Sequence, residues 1–253
     1  MEIIQGTLTI QKGAASMTAN NDRPADTRIM GIIHGALRRD LERTTRALSS
    51  TPPPLERQRV AIAAHVEWLM KFLHSHHIGE DRGLWPIVRA RNPAAGDLLD
   101  QMDADHARIA PEIDRVEKAA AAYAADGSST AREGLVGVIE SLRSVLDPHL
   151  RREEEEMMPI VSRSITRAQW DGYTNTHHVA TKSKRELGRE GHWLIDSLDP
   201  EGYEVVVRVV PAVPRFILLH AFAKPYRREC ALRWGPRVQV TPLSRQRPRP
   251  TPS

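Results

Sequence analysis

Six residues carry metal-binding donors at a repeating interval. His34 stands alone, His76 and Glu80 lie four apart, His106 stands alone, and His149 and Glu153 lie four apart. Each pair is followed by a proline ten residues after its histidine, Pro86 and Pro159. His34 precedes His76 by 42 residues and His106 precedes His149 by 43, so the chain contains two copies of one unit. Residues four apart on an α-helix are turned by about 40° and raised by about 6 Å. An imidazole and a carboxylate at that spacing point the same way and can share one or two cations. His77 and Asp81 offer the same spacing one residue later, but Leu150 stands where the second copy would need the matching histidine. The frame common to both copies is therefore His76/Glu80.

These donors need helices to position them, and the hydrophobic pattern supplies four. A first segment, from about Asp26 to Leu48, has an inner stripe of Met30, His34, Leu37, Leu41 and Leu48. A second, from about Leu55 to Asp81, has His65, Leu69, Phe72, His76 and Glu80. A third carries Leu99, Met102, His106, Ile109, Ile113 and Val116, and a fourth carries Leu135, Val138, Leu142, Val145, His149, Glu153 and Met157. Short connectors such as "STPPP" and "ADGSS" make this an all-α, up-down-up-down four-helix bundle. In that topology all four donor groups fall at one level, toward one end of the core. Two carboxylates and four imidazoles would be buried there without Lys or Arg partners, and each unpaired carboxylate would cost several kcal/mol. Two divalent cations remove the cost. Nitrogen and oxygen donors without sulfur suit iron or manganese at least as well as zinc.

Beyond the bundle, residues 161–236 read as a mainly helical extension. "TRAQ" at Thr166–Gln169 has the form of a capping box, and Asp199-Pro200 the form of a helix start, although the valine run after it would also suit a strand. Residues 1–25 read as a disordered arm, 26–160 as the bundle, and 237–253 as a basic, Pro/Arg-rich disordered tail. The chain has 253 residues and a formal charge of +4, concentrated in that tail, with no nucleic-acid recognition motif beside it. Specific nucleic-acid binding is not expected. One cysteine, Cys230, excludes a disulfide framework and a thiolate cluster, and no apolar run spans a bilayer. With no signal-peptide pattern at the start, a cytoplasmic location is expected. The sequence leaves the oligomeric state open.

"HHIGEDRGLWP" and "HLRREEEEMMP" resemble the two signature blocks of the hemerythrin-like (HHE cation-binding) domain, over about residues 26–160. The resemblance implies a bundle holding a non-haem di-iron centre, two iron ions with an oxo or hydroxo bridge and bridging Glu80 and Glu153. Other divalent metals remain open. Carried over residue by residue, the ligands are His34, His76, Glu80, His106, His149 and Glu153. Oxygen-carrying members place two histidines on the third helix; here the earlier position is Met102. The absent donor argues against reversible oxygen carriage unless His77, beside Val66, Met70 and Leu73, supplies it. The extension is similar to those of actinobacterial members.

The implied activity is reaction with a small diatomic or peroxide ligand, meaning peroxide, oxygen or nitric oxide, in detoxification or sensing. Peroxidase- or catalase-like turnover is open. The alternative is a non-catalytic protein that binds or stores oxygen or iron. A ferritin-like oxidase would need Glu-x-x-His on two helices, and only Asp103/His106 comes near it. Elsewhere, His65 is expected as a satisfied core histidine, His74, His177 and His178 at the surface, Glu154 as an acceptor behind a ligand, and Trp85 packed at the bundle end.

Overall fold

Each predicted amphipathic segment is a helix. The computed structural model describes residues 21–209 and 212–235. Helix α1 (Arg28–Leu48) buries the stripe expected of it, from Met30 through His34 to Leu48. Helix α2 spans Glu56–Gly79 and runs into a wide turn, Glu80–Leu84, before α3 (Trp85–Arg91). Helices α4 (Gly96–Ala125) and α5 (Ser129–Arg152) form the second hairpin. A second wide turn, Glu153–Met157, leads into α6 (Met158–Ser164). α2 packs along α4, α4 along α5, and α1 against α5 and α2. On α5 the stripe holds at Leu135, Leu142 and His149 and shifts by one residue at two positions. Ile139 and Leu146 are buried, and Val138 and Val145 are half-buried.

The two wide turns explain the repeated prolines. In each, the helix is widened by one residue: the Trp85 N–H donates to the Glu80 carbonyl, and the Met158 N–H to the Glu153 carbonyl. A proline has no N–H, and in a regular helix its ring strikes the carbonyl four residues back. One extra residue per turn just before Pro86 and Pro159 relieves that clash. Both turns begin on the glutamate of the repeat.

The core is divided in two. Leu37, Leu41, Val66, Leu69, Leu73, Ile109, Ile113, Leu142 and Leu146 belong to one apolar cluster, closed at its far end by Tyr123. Met30, Leu84, Trp85, Leu99, Met102, Met157, Val161 and Tyr173 belong to another. His34, His76, His106 and His149 fall between the two clusters along their helices, as a buried polar layer.

The extension is helical where it is described. α7 (Arg167–Thr174) starts with the expected capping box of Thr166 and Gln169. A third wide turn, Asn175–Val179, follows, then α8 (Lys184–Ile195), capped by Ser183 and Glu186. The valine run forms α9 (Pro200–Val209), a helix rather than a strand; Asp199 Oδ1 accepts from the Gly202 N–H at 2.7 Å, and Val206 and Val207 are buried. α10 (Ala212–Ala221) and α11 (Ala223–Trp234) complete it.

A buried polar network fastens the extension to the bundle. Asp40 on α1 accepts from His65 Nε2 at 2.8 Å and from Trp193 Nε1 at 3.1 Å. Arg43 donates to Asp196 at 2.6 Å, and the Tyr226 hydroxyl donates to the same carboxylate at 3.1 Å. His65 is thus a core histidine, as expected, bonded to Asp40 through Nε2 while its Nδ1 has no hydrogen-bond partner. The expected disordered segments lie mostly outside the described residues. Of the arm, residues 23–25 are fixed: the Arg167 N–H donates to the Arg23 carbonyl, the Ala25 N–H donates to the Ile165 carbonyl, and Ala25 is buried. Among the described residues no helix is long and apolar enough to cross a membrane.

Candidate metal centre

All six donors of the repeat converge, and His77 joins them. His34, His76 and Glu153 place one ligand atom each within 4.8 Å of one another, and so do His77, His106 and His149. The two groups are connected by carboxylates. Glu80 has one oxygen 3.2 Å from His76 Nε2 and the other 3.7 Å from His106 Nε2. Glu153 Oε2 lies 3.4 Å from His34 Nε2 and 3.6 Å from His149 Nε2. Each glutamate therefore reaches one histidine of its own copy and one of the other copy.

Every atom in this arrangement lacks a hydrogen-bond partner. The Nε2 atoms of His34, His76, His77, His106 and His149 and all four oxygens of Glu80 and Glu153 are buried and unpaired. A folded protein leaves few such atoms, because each costs a desolvation penalty. Five lone-pair nitrogens and four carboxylate oxygens facing one space are a donor set for two cations. The electrostatics agree. Burial first, then neighbouring imidazoles, holds His76 and His77 well below the ordinary histidine range and pulls His149 down to about 2. The rings are neutral and ready to coordinate. Burial and the charge of Glu153 push the Glu80 carboxyl well above its usual value. Two carboxylates so placed resist ionising together unless a cation sits between them.

The outer nitrogens fix the ring orientations. His34 Nδ1 donates to Glu154 at 2.9 Å, and Arg38 holds that carboxylate from behind at 2.7 Å. His106 Nδ1 donates to Asp81 at 2.6 Å. A carboxylate on Nδ1 turns Nε2 inward as a lone pair and makes it more basic. Asp81 and Glu154 occupy the same place in the two copies, one residue after the bridging glutamate. The repeat carried this signal for Asp81 as well as for the expected Glu154. Asp105, bound by Arg108 and Arg152, lies 3.6 Å from His149 Nδ1.

His77 was the open question of the sequence. Its ring stacks on His106 at 4.0 Å and meets His149 edge-on at 5.2 Å. Met102, one turn before His106, is packed in the lower apolar cluster. A third imidazole is thus present beside His106 and His149, supplied by α2 instead of α4. The argument from Met102 against oxygen carriage was conditional on His77, and the His77 ring lies beside His106 and His149. His74 is exposed, as expected.

His177 and His178 are half-buried instead of fully exposed. They belong to the third wide turn, which lies over the first: a Cβ on Gly79 would come 2.7 Å from His178, and one on Gly83 would come 2.5 Å from His177 and 2.9 Å from Tyr173. Glycines on either side of Glu80 let this roof close. The His178 ring lies 5.9 Å from that of His76, and His178 Nε2 shares a 2.8 Å hydrogen bond with the Tyr173 hydroxyl. Burial, reinforced by Glu80, Glu153 and Asp81, pushes the Tyr173 hydroxyl well above its usual range, so it keeps its proton.

Acid acts on the fold before it acts on the donors. Burial, partly opposed by Asp40, pulls His65 down to about 4. Burial, Lys182 and His177 pull His178 down to about 4. The unfolded chain takes up protons on these rings near pH 6.5, sooner than the folded chain. Each neutral ring therefore contributes stability that is complete above that pH and is lost as pH falls toward about 4. The slope is roughly 1.4 kcal/mol per pH unit for each ring. Ordinary histidine titration would put metal loss near pH 6. Buried, neutral donors move it: metal content and helical circular dichroism are expected to fall together between about pH 6 and 4. Metal released at pH 6 from a fully helical chain would contradict this.

A family model described as the hemerythrin HHE cation binding domain matches residues 27–161. Comparison with curated proteins and with solved structures gave no match.

Proposed function

The chain belongs to the hemerythrin HHE cation-binding family, and from that premise we propose that it holds two iron ions and reacts with a small oxidant or with nitric oxide. The observation that supports the pair of ions is the set of nine unpaired donor atoms facing one space. In this reading His77, His106 and His149 would hold one ion and His34 and His76 the other, with Glu80 and Glu153 within reach of both sets of imidazoles. A bound di-iron centre supplies Lewis acidity and a change of redox state.

The chain's own residues set what that centre can do. Two imidazoles on one ion against three on the other leave the His34/His76 side with fewer protein donors. Over that side lies the Tyr173–His178 pair. The Tyr173 hydroxyl, held protonated, stays a hydrogen-bond donor there, with the neutral His178 ring as its partner. Glu154 and Asp81 keep the His34 and His106 rings from turning. A fixed hydrogen-bond donor over the less saturated side favours turnover of peroxide over storage of an intact ligand.

A second reading has one specific observation behind it. With His77 in place the donor set is asymmetric, three imidazoles and two, which is what a reversible oxygen carrier needs. The two readings separate on mixing the reduced protein with oxygen and with peroxide while recording the charge-transfer bands. Turnover predicts rapid oxidation and peroxide consumption, slowed at least tenfold in Tyr173→Phe at unchanged iron content. A long-lived, reversible oxygen adduct in the wild type would overturn the catalytic reading.

A further inference from the structure

A partly open apolar cavity lies beside the candidate centre, and the extension builds half of it. It measures about 390 Å³. Ile33 of α1 and Phe72 of α2 form its bundle wall, and Leu187, Leu194 and Val206 of the extension form the opposite wall. His76 and His178 line its inner end, and Phe72 stacks on His76 at 6.1 Å. The extension's share of the wall lies outside residues 27–161, so the bundle alone does not make this space.

Its size and lining say what fits. A water takes about 30 Å³ of liquid volume, and a diatomic is of similar size. The space is about ten times larger than the proposed oxidant requires and falls within the usual range of small-molecule sites. Its charged lining is largely self-satisfied. Lys182 donates to Glu190 at 2.7 Å, with both side chains mostly covered, and the Lys182 ammonium also faces the Phe72 ring at 5.4 Å. Arg215 donates to the Val207 carbonyl at 2.9 Å. Water placed among Ile33, Phe72, Leu187 and Leu194 would find few partners.

We infer that this cavity binds an uncharged, apolar organic molecule, a medium-length hydrocarbon chain or an aromatic ring system on the order of ten to fifteen non-hydrogen atoms, seated against His76. The inference does not depend on which metal occupies the centre.

The test uses the full-length, metal-containing protein and the neutral fluorescent probe N-phenyl-1-naphthylamine, displaced by decanol or by decanoate. Gly191 lines the cavity, and a Cβ there meets nothing within 4 Å, so Gly191→Phe adds a ring at the cavity lining from a position with room for its Cβ. The expected result is saturable probe binding, displacement by decanol, and at least a tenfold loss of affinity in Gly191→Phe with iron content and helicity unchanged. Leu194→Trp fills the same space from another position and should have the same effect. No saturable binding in the wild type would overturn the inference, as would equal affinity in both folded variants. Decanoate displacing the probe tenfold better than decanol would overturn an uncharged occupant. Binding seen only after deletion of residues 1–16 would assign the cavity to the chain's own terminal segment and overturn it likewise.

Discussion

Replacing either bridging carboxylate is expected to empty both metal positions at once. Glu80 reaches His76 in one cluster and His106 in the other, and Glu153 reaches His34 and His149. Glu80→Ala or Glu153→Ala therefore takes a donor from each ion and removes half of the negative charge facing them. Metal content should fall from two ions per chain to well below one. The fold should suffer too, because the remaining carboxylate and five imidazoles stay buried without partners. Breaking a buried charged arrangement in this way costs about 3–5 kcal/mol, or roughly 6–20 °C in melting temperature for a domain of this size. His34→Ala touches one cluster only and should lose about one ion. Metal analysis and thermal melts on the same preparations check this. Equal, single-ion losses in the glutamate and histidine variants would contradict the bridged arrangement.

The second large effect concerns His77. If it supplies the third imidazole beside His106 and His149, His77→Ala should lower metal content to about one ion per chain and bleach the charge-transfer bands. Met102 stands one turn before His106 on the same face of α4. A histidine there can approach the same position from the other helix. The double variant His77→Ala/Met102→His should then recover metal toward two ions. Met102→His alone should gain nothing and lose some stability, since it crowds a filled apolar cluster with a polar ring. Full metal content in His77→Ala would remove His77 from the centre and restore the argument from the absent third-helix histidine.

The His-x-x-x-Glu pairs were readable because helix geometry and the internal repeat state the same fact independently. The four helices, their order and the level at which His34, His76, His106 and His149 meet follow from the same periodicity. His77 was ambiguous for a physical reason. Adjacent residues on a helix differ by about 100°, so a single inner stripe admits His76 or His77 but not both. In the fold the two rings flank the bundle axis, His76 turned toward His34 and His77 toward His106.

The roof was not readable at all. Nothing local distinguishes His177 and His178 from exposed histidines; their partial burial depends on Gly79 and Gly83, almost a hundred residues away. The valine run of α9 left helix and strand open. Its strand propensity is real, but Asp199 at the start and the burial of Val206 and Val207 make it a helix. Asp81 could have been found from the repeat, because its counterpart Glu154 was.

The most direct test of the central claim is the metal content of the purified full-length chain, measured per folded molecule together with that of His74→Ala. Two iron ions per chain are expected, unchanged by loss of the exposed His74. A fully helical chain that holds no metal after aerobic purification and takes up none on anaerobic addition of ferrous iron would contradict the account.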